Sequence, residues 1–416
     1  MKLGILGIDE QIAWVLAAAA RRGDEVVVAC DVAGDSPHAA LRAGVPRADS
    51  WESLMDARGC EAVLVGGAGW SDLRAEGVRK LVQAGRTLVL SQPLELSMLW
   101  AYELDMIRKD SAARLIPILP DRLHPFIGRL RQAIEAGLAG GGSLGPIETI
   151  ELKRRMRDRS RGEVLAQLAR DADLVRVLVG DPRRLSTLGG ADPDTVWNTL
   201  SVGLSGTANL PVRWQVTRGD VPGLSIALVG GSGTLAVEVP AGPGGAWTST
   251  LQPAGTSDQV DFDRGAVILD ILHGTAARSP TVRDGIAPAA WDDAARAIEL
   301  AESVPRSVAK GRAIDLHQEE FSELGTFKGT MASLGCGIVL AGLFALLVAT
   351  LVGGIAREAG WEFGERIAGV WPIAVLVVLG LFLALQLLPL LIGSTPPARG
   401  GDPVDGPRPV PPRNRE

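Results

Sequence analysis

The stretch MKLGILGIDEQIAWVLAAAARRGDEVVVACD, residues Met1–Asp31, decides the fold that the sequence predicts. Lys2–Leu6 is a short apolar run typical of a strand, Gly7 interrupts it, and Gln11–Arg22 is an alanine-rich helical segment. A second apolar run, Glu25–Asp31, follows and ends on an acid. Strand, tight turn, helix, strand and acid in this order are typical of the first unit of a dinucleotide-binding Rossmann domain.

The turn that would receive the diphosphate of a nucleotide is only half present. The pattern G-x-G-x-x-G would fall on Gly7, Asp9 and Ile12, so only its first glycine occurs. Asp9 and Glu10 place carboxylates where a diphosphate would lie, and the positive end of the helix offsets that repulsion only in part. We therefore expect NAD or NADP to bind weakly or not at all.

The candidate cofactor contacts lie in loops that follow the predicted strands. Asp31 would accept a hydrogen bond from a ribose hydroxyl or, as an equal alternative, cap the turn after its own strand. Gly66 and Gly67 follow the third strand in a loop whose glycines permit many backbone conformations. The full set of cofactor candidates is Gly7, Ile8, Asp9, Glu10, Asp31, Gly66, Gly67 and Gln92.

Composition excludes several classes of function. The chain has 416 residues, enough for two or more domains, and its net charge of −6 argues against nucleic acid as a partner. Its three cysteines, Cys30, Cys60 and Cys336, are far apart and predict neither a disulfide framework nor a metal site. The histidines and acids have no ligand spacing either, so we predict no metal.

Strands and helices continue to alternate after Asp31. The predicted elements are strands at Glu61–Val65, Arg86–Leu90 and Arg114–Ile118, with helices at Ser71–Ala84 and Ser97–Lys109. Alternation of this kind predicts an α/β fold with a doubly wound parallel sheet and a ligand crevice at the carboxyl ends of its strands. We assign residues 1–121 to this Rossmann domain.

The pattern changes after the glycine-rich link at residues 140–142. Ile147–Lys153 begins a second domain, Val164–Val179 is helical, and several strands separated by glycine turns follow as far as Leu251. We assign residues 122–320 to an α+β domain with a mostly open β-sheet. The amphipathic helix at 289–304 is expected to pack back on the first domain.

This order of elements resembles the Gfo/Idh/MocA family of nicotinamide-dependent oxidoreductases over about residues 1–317. The motifs that carry the resemblance, besides the opening unit, are Leu90–Leu94, Arg122–Pro125, Leu138–Gly140, Leu144–Ile147, Asp173–Arg176, Gly180–Pro182 and Asp284–Gly285. The resemblance implies NAD or NADP as cofactor and a sugar-like or cyclitol substrate. It also implies a homo-oligomer formed through the open sheet of the second domain.

The catalytic positions of that family are altered in this chain. The family has Glu-Lys-Pro after its fourth strand, where this chain has Ser91-Gln92-Pro93, and an amide can hydrogen-bond but cannot supply a cation or a proton. The Asp, His and Asp that the family carries on a substrate-facing helix fall on Ala166, Arg170 and Asp173. Arginine cannot act as a base near neutral pH.

Two functions follow as alternatives. In the first, the chain is a catalytically idle member of the family that serves as a ligand-binding or assembly module. In the second, it is an active NAD(P)-dependent oxidoreductase that acts on a sugar-like or cyclitol substrate with a non-standard catalytic set; Gln92, Arg170 and Asp173 occupy the family's catalytic positions. The missing lysine and histidine favour the first. Arg170, with Arg122 as a second donor, could bind an anionic ligand or could instead form a salt bridge.

The C-terminal part of the sequence predicts a membrane hairpin. Residues 329–356 and 367–393 contain no charged side chain, and each is longer than the about 20 residues that cross a bilayer. Basic residues before the first segment and in the Pro-rich tail outnumber those in the linker, so the positive-inside rule assigns both termini and the globular part to the cytoplasm. We expect a multi-pass protein of the cytoplasmic membrane whose tail, 394–416, is disordered.

Overall fold

The computed structural model describes residues 1–32, 44–56, 59–188, 195–206, 209–242, 244–278 and 285–316, with scattered residues between 344 and 360. The chain divides into two units, Met1–Gln318 and Glu319–Glu416, and both sheets described below belong to the first. Within the described residues, no helix is both long enough and apolar enough to span a bilayer. The hairpin predicted at 329–356 and 367–393 lies outside them, apart from those scattered positions, as do the tail, Asp284 and Cys336.

The first sheet is parallel and has six strands, in the order β3-β2-β1-β4-β5-β6. Its strands are β1 (Lys2–Leu6), β2 (Glu25–Cys30), β3 (Arg47–Ala48), β4 (Ala62–Val65), β5 (Thr87–Leu90) and β6 (Arg114–Pro117). The helices between them are α1 (Glu10–Arg22), α2 (Glu52–Asp56), α3 (Asp72–Gln83) and α4 (Met98–Lys109). All four residues of β4 are buried, as expected for a central strand covered on both faces. The predicted Rossmann-like sheet is confirmed, and its strand order reverses between β1 and β4.

Short polar side chains fix where the helices of this layer begin. Asp9 caps α1, since its Oδ1 accepts a hydrogen bond from the backbone N–H of Ile12 at 2.9 Å. Ser71 caps α3 and Ser97 caps α4 through equivalent bonds at 3.3 Å. Each cap satisfies an N–H group that has no partner inside its helix. The cap of α1 matters most for function, because it places a carboxylate at the reversal point of the sheet.

The second sheet is mixed and has nine strands, in the order β14-β13-β12-β11-β7-β10-β9-β8-β15. Its strands are β7 (Ile147–Met156), β8 (Arg184–Leu188), β9 (Ser201–Ser205), β10 (Pro211–Arg218), β11 (Gly223–Gly230), β12 (Gly233–Pro240), β13 (Ala246–Gln252), β14 (Thr256–Asp261) and β15 (Ile314–Asp315). The associated helices are α5 (Pro125–Leu138), α6 (Arg161–Val179), α7 (Arg264–Leu272) and α8 (Trp291–Lys310). β7 pairs in parallel with β10 and antiparallel with β11.

Helix α8 joins the two layers. It contacts α6 and β8 of the second layer and α4 of the first. The indole N–H of Trp291 donates to the carbonyl oxygen of Ala101 at 2.9 Å, and Glu302 Oε2 accepts from the backbone N–H of Met98 at 3.0 Å. These bonds hold α4 against α8, so the two sheets keep a fixed relation around the space between them.

An aromatic cluster anchors the start of α5 on the second sheet. His124 is fully buried, its Nδ1 accepts from the backbone N–H of Phe126 at 3.0 Å, and its ring stacks on Trp247 at 3.9 Å between centroids. Phe262 packs on both rings. Burial lowers the pKa of His124 to about 4, so the imidazole is neutral at physiological pH.

Candidate functional site

A cavity of about 480 Å³ opens between the two layers, at the carboxyl end of the first sheet. Gln11 and Trp14 of α1 form one wall, the end of β7 forms a second, and Gln167, Arg170 and Asp173 of α6 form a third. Its volume lies in the range of small-molecule sites, and doubly wound folds bind ligands at this edge. Of the predicted cofactor residues, Glu10 lines the cavity, whereas Ile8 is buried in the core.

The Asp9 carboxylate occupies the hydrogen-bond donors at the mouth of the first sheet. Its Oδ1 accepts from the Ile12 N–H and from the Ser91 hydroxyl, both at 2.9 Å. Its Oδ2 accepts from the backbone N–H of Gly67 at 2.6 Å. A helix N-terminus and a glycine loop are the groups that a diphosphate would use at this place. The Asp9 carboxylate therefore accepts the hydrogen bonds that these groups would otherwise donate to a diphosphate.

The Arg74 guanidinium fills the space beside Asp9. The side chain is only 3% exposed, and its Nε donates to Asp31 Oδ2 at 2.6 Å. Its Nη1 donates to the carbonyl oxygens of Gly66 at 2.8 Å and Ala68 at 2.6 Å. A methyl group built on Gly7 would lie 2.5 Å from this nitrogen. Asp31, expected to take a ribose hydroxyl or to cap a turn, is thus an ion-pair partner of Arg74.

The residues at this mouth do not fit a dinucleotide in the arrangement observed. A diphosphate would have to displace the Asp9 carboxylate from three donors and would then lie beside that negative charge. Asp31 is 47% exposed and its Oδ2 already accepts from Arg74, so a ribose there would share the carboxylate with that guanidinium. The half-formed glycine loop and the position of the Asp9 carboxylate are both unfavourable for a diphosphate at this edge of the sheet.

Sequence reasoning missed Arg74. A basic residue in the first turn of a helix is unfavourable, because the helix dipole is positive at that end. Arg74 is the third residue of α3, three positions after its Ser71 cap. That position is the one available signal that Arg74 has a specific anionic partner.

Gln92 and Arg170, predicted at the catalytic positions, do lie together. Arg170 Nε donates to the carbonyl oxygen of Gln92 at 2.6 Å, and the Gln92 N–H donates to Gln11 Oε1 at 2.7 Å. Gln92 is 4% exposed, and its Nε2 has no hydrogen-bond partner among the residues described. Burial lowers the pKa of Arg170, although the charge of Glu163 opposes that effect. The pair contains a hydrogen-bonding amide and a cation but no proton acceptor.

Asp173 is a buried titratable group of the α6 wall. It is 1% exposed and lies three residues after Arg170, on the same face of α6. Its Oδ2 is 3.6 Å from Arg122 Nε, and its Oδ1 has no hydrogen-bond partner within the described part of the chain. Burial raises the pKa of Asp173 to about 6, against the pull of Arg122. This carboxyl can therefore hold or release a proton near neutral pH.

Of the two alternatives for Arg122, the structure shows a salt bridge and not a place beside Arg170 in the cavity. Arg122 Nη1 donates to Asp293 Oδ2 at 2.7 Å, and Asp293 also accepts from Arg176 at 2.9 Å. Arg122 lines a different cavity, of about 510 Å³, together with Arg176 and Asp293. Its charge is used to fasten the start of α8 to α6, a long-range contact that sequence spacing does not reveal.

A buried ion pair beside the cavity joins α6 to the second sheet. The sequence analysis did not identify it. Arg154 of β7 binds both carboxylate oxygens of Asp171, with Nε at 2.9 Å from Oδ2. The same Oδ2 accepts from the indole N–H of Trp214 at 2.8 Å. Burial alone would lower the pKa of Arg154, but the Asp171 charge outweighs it and raises that pKa. The pair fixes α6, and with it Arg170 and Asp173, on the second sheet.

Comparison with solved structures identifies the architecture. The chain aligns with a putative myo-inositol dehydrogenase from Sinorhizobium meliloti at 17% identity and a TM-score of 0.55, covering 76% of this chain and all of that one. A putative NADPH-dependent oxidoreductase from Desulfitobacterium hafniense gives 13% identity and a TM-score of 0.60, with 76% and 97% covered. The WlbA dehydrogenase from Bordetella pertussis, solved with NADH and UDP-GlcNAcA, gives 18% and 0.55, with 76% and 99% covered.

Comparison with protein-family models and with curated protein sequences finds no match. The structural similarity extends over nearly the whole length of each solved neighbour, so both sheets are shared with them. The chain has the two-layer fold of nicotinamide-dependent oxidoreductases of the Gfo/Idh/MocA type.

Proposed function

We propose that this chain is a catalytically idle relative of these oxidoreductases, which binds a small polar molecule between its two sheets without a dinucleotide. The observation that carries the proposal is the Asp9 carboxylate, which takes the three donors that a diphosphate would need. Arg74, packed against Gly7 and paired with Asp31, adds to it. The ligand-sized cavity beside Gln11 and Arg170 remains open to molecules from solvent.

The chemistry of Gln92 and Arg170 supports the same proposal. Hydride transfer from an alcohol needs a cofactor held within about 3–3.5 Å of the reacting carbon and a group that takes the hydroxyl proton. The backbone carbonyl of Gln92 accepts from the guanidinium of Arg170, and the two side chains provide neither a base nor a mobile cation. A fold that is retained while the residues at its catalytic positions are replaced is more consistent with ligand binding than with catalysis.

A second candidate function rests on Asp173. A buried carboxyl with a pKa of about 6 and an unpartnered oxygen, among the residues described, could accept the hydroxyl proton of a sugar-like or cyclitol substrate. The names of the solved neighbours are consistent with an NAD(P)-dependent oxidoreductase of this kind. This activity would require the Asp9 carboxylate to give up its three donors at the nucleotide mouth.

Titration of the full chain with NADH and NADPH separates the two functions. Because Asp9 and Arg74 fill the mouth, we expect no binding heat at millimolar nucleotide. Asp9→Gly restores the second glycine of the loop and frees three donors at little cost to the helix cap, so this variant should gain measurable affinity. Calorimetry measures both.

Glu10→Gln is the matched control for that experiment. It removes the same negative charge from the adjacent residue but leaves the Asp9 hydrogen bonds intact. We expect no gain in nucleotide affinity from it. Micromolar binding by the unaltered chain, or turnover of a polyol panel with NAD⁺, would establish the oxidoreductase instead.

The proposal includes a membrane location, with both termini and the globular part on the cytoplasmic side. The two uncharged segments at 329–356 and 367–393 support it, as do the basic residues that flank them.

Pairing of two copies through the second sheet is also part of the proposal. Along β10 exposed and buried residues alternate, with Val212, Trp214 and Val216 buried, so the opposite face is available to a partner. The domain limits 1–121 and 122–320 likewise remain predictions.

Reporter fusions test the topology. A reporter joined after Glu416 should be active only in a cytoplasmic format, and one inserted near Gly360 only in an extracytoplasmic format. Removal of residues 329–416 should move the chain from the membrane fraction to the supernatant. Full-length chain that remains in the supernatant after high-speed centrifugation without detergent would refute the anchor, and an inverted reporter pattern would refute the orientation.

A further inference from the structure

Among the described residues, the cavity between the sheets is lined by Arg170 and four other arginines, of which Arg157 is exposed. Three of those are paired with a carboxylate: Arg154 with Asp171, Arg155 with Glu238 and Arg264 with Asp121. Arg170 has no carboxylate within ion-pairing distance among the described residues. Its guanidinium instead donates from Nε to the carbonyl oxygen of Gln92, which carries no charge. The guanidinium therefore lines the cavity without a directly paired carboxylate.

The Arg170 side chain is partly buried, and burial disfavours its charged form, as the lowered pKa of its guanidinium indicates. A cation that has lost part of its hydration and has no carboxylate partner favours the binding of an anion, because the anion replaces the lost solvation. An anionic group bound at Arg170 would supply the missing charge and could use the planar fork of the guanidinium.

The cavity lining also presents carboxylates that could accept hydrogen bonds from a ligand. Glu163 lies on the same wall and accepts from Gln167 Nε2 at 2.9 Å, and Asp173 Oδ1 has no partner among the residues described. Carboxylates accept hydrogen bonds from hydroxyl groups. Among the described residues the lining has six carboxylates and five arginines, so it carries no excess positive charge for a ligand with several negative charges. A neutral polyol, on the other hand, would leave Arg170 unneutralised.

We infer that the cavity binds a sugar acid, a small polyhydroxylated molecule with a single carboxylate. The carboxylate is held by Arg170, and hydroxyl groups donate to Glu163 and Asp173. A volume of about 480 Å³ accommodates a molecule of this size. The inference rests on the ligand-binding part of the proposed function and names the ligand class of that site.

Matched pairs of acid and neutral sugar test the inference on the full chain. The pairs are D-glucuronate with D-glucose, D-galacturonate with D-galactose, and D-gluconate with D-glucitol. We expect at least one acid to bind about ten- to a hundredfold more tightly than its neutral counterpart, the range of one charge-assisted hydrogen-bonded contact. Calorimetry at low salt measures each affinity.

Variants then assign the preference to one side chain. Arg170→Gln should abolish the preference for the acid over the neutral sugar, and Arg170→Lys should retain part of it. Arg157→Gln is the matched control, because Arg157 lines the same cavity but is exposed and donates to the Asp220 carbonyl oxygen. We expect Arg157→Gln to keep the preference. Circular dichroism checks that each variant is folded.

Three results would overturn the inference. These are no binding of any acid at millimolar concentration, equal affinity for acid and neutral sugar, and a preference that survives Arg170→Gln. Nucleotide binding by the unaltered chain would instead overturn the proposed function. Because the two titrations use different ligands and different variants, either failure can be recognised without the other.

Discussion

Replacing Asp171 by Asn is expected to lower the free energy of unfolding by about 3–5 kcal/mol. Asp171 is 1% exposed and accepts hydrogen bonds from Arg154 and from the Trp214 indole. The substitution leaves the Arg154 guanidinium buried without a counter-charge, and the desolvation cost of that cation then appears in full. Chemical denaturation followed by tryptophan fluorescence measures the loss.

Two controls separate this effect from a general sensitivity to charge removal. Glu238→Gln breaks the neighbouring pair with Arg155, whose side chains are 38% and 48% exposed, and should cost less than about 1 kcal/mol. The double variant Arg154→Met/Asp171→Leu removes both charges and should lose less stability than Asp171→Asn alone. A double variant less stable than the single one would mean that the pair itself, and not the orphaned cation, supplies the stability.

The order and type of the elements in the first layer could be predicted because their signals are local. β1 has the predicted limits, Lys2–Leu6, and α1 begins at Glu10, one position before the predicted start. A run of apolar residues, a glycine at positive φ and a capping acid lie within a few positions of one another, so periodicity and turn chemistry suffice. Gly7, at φ +71, is such a position.

The second layer could be predicted only in outline. The sequence indicates several strands before Leu251, but not that β7 lies between β10 and β11. That arrangement depends on pairings such as Leu152 with Trp214 and with Ile226, which join residues far apart in the chain. Register of this kind is set by the burial of whole faces, which a local pattern does not encode.

In the site, too, local features could be predicted from the sequence and long-range contacts could not. The sequence indicates that Asp9 lies at the mouth of the fold and that Gln92 and Arg170 share a wall. It does not indicate that Asp9 binds Gly67 and Ser91, or that Arg74 reaches Asp31, since each contact joins different loops. The carboxylate of Asp9 does lie where the sequence predicts a charge that repels a diphosphate. In the structure it also accepts the hydrogen bonds that a diphosphate would otherwise accept.

Two buried groups should impose opposite pH dependences on stability. The pKa of Asp173 is raised from 3.8 to about 6 in the fold, so the native state holds more protons than the unfolded one between these values and stability falls as pH rises. The pKa of His124 is lowered from 6.5 to about 4, so the unfolded state holds more protons there and stability falls as pH drops. The unaltered chain should therefore change little in stability between pH 6.5 and pH 4 on account of these two groups.

Asp173→Asn should remove one of these opposing contributions. At pH 7.5 the variant should be more stable than the unaltered chain by about 3 kcal/mol, since each pKa unit corresponds to about 1.4 kcal/mol and the buried charge is gone. The gain should decline as the pH falls through 6 and vanish near 4. Of the two opposing pH dependences, the variant then retains only that of His124. Its free energy of unfolding should therefore decrease steadily as the pH falls.

Denaturation curves at pH 7.5, 6 and 4.5 measure this difference. Asp158→Asn is the matched control, because Asp158 lines the same cavity but is exposed, and its curve should follow that of the unaltered chain. A loss of stability for Asp173→Asn at pH 7.5 would mean that attraction to Arg122 at 3.6 Å outweighs burial. Asp173 would then be an ion-pair residue that fastens α6, and its part in accepting a hydroxyl group would have to be abandoned.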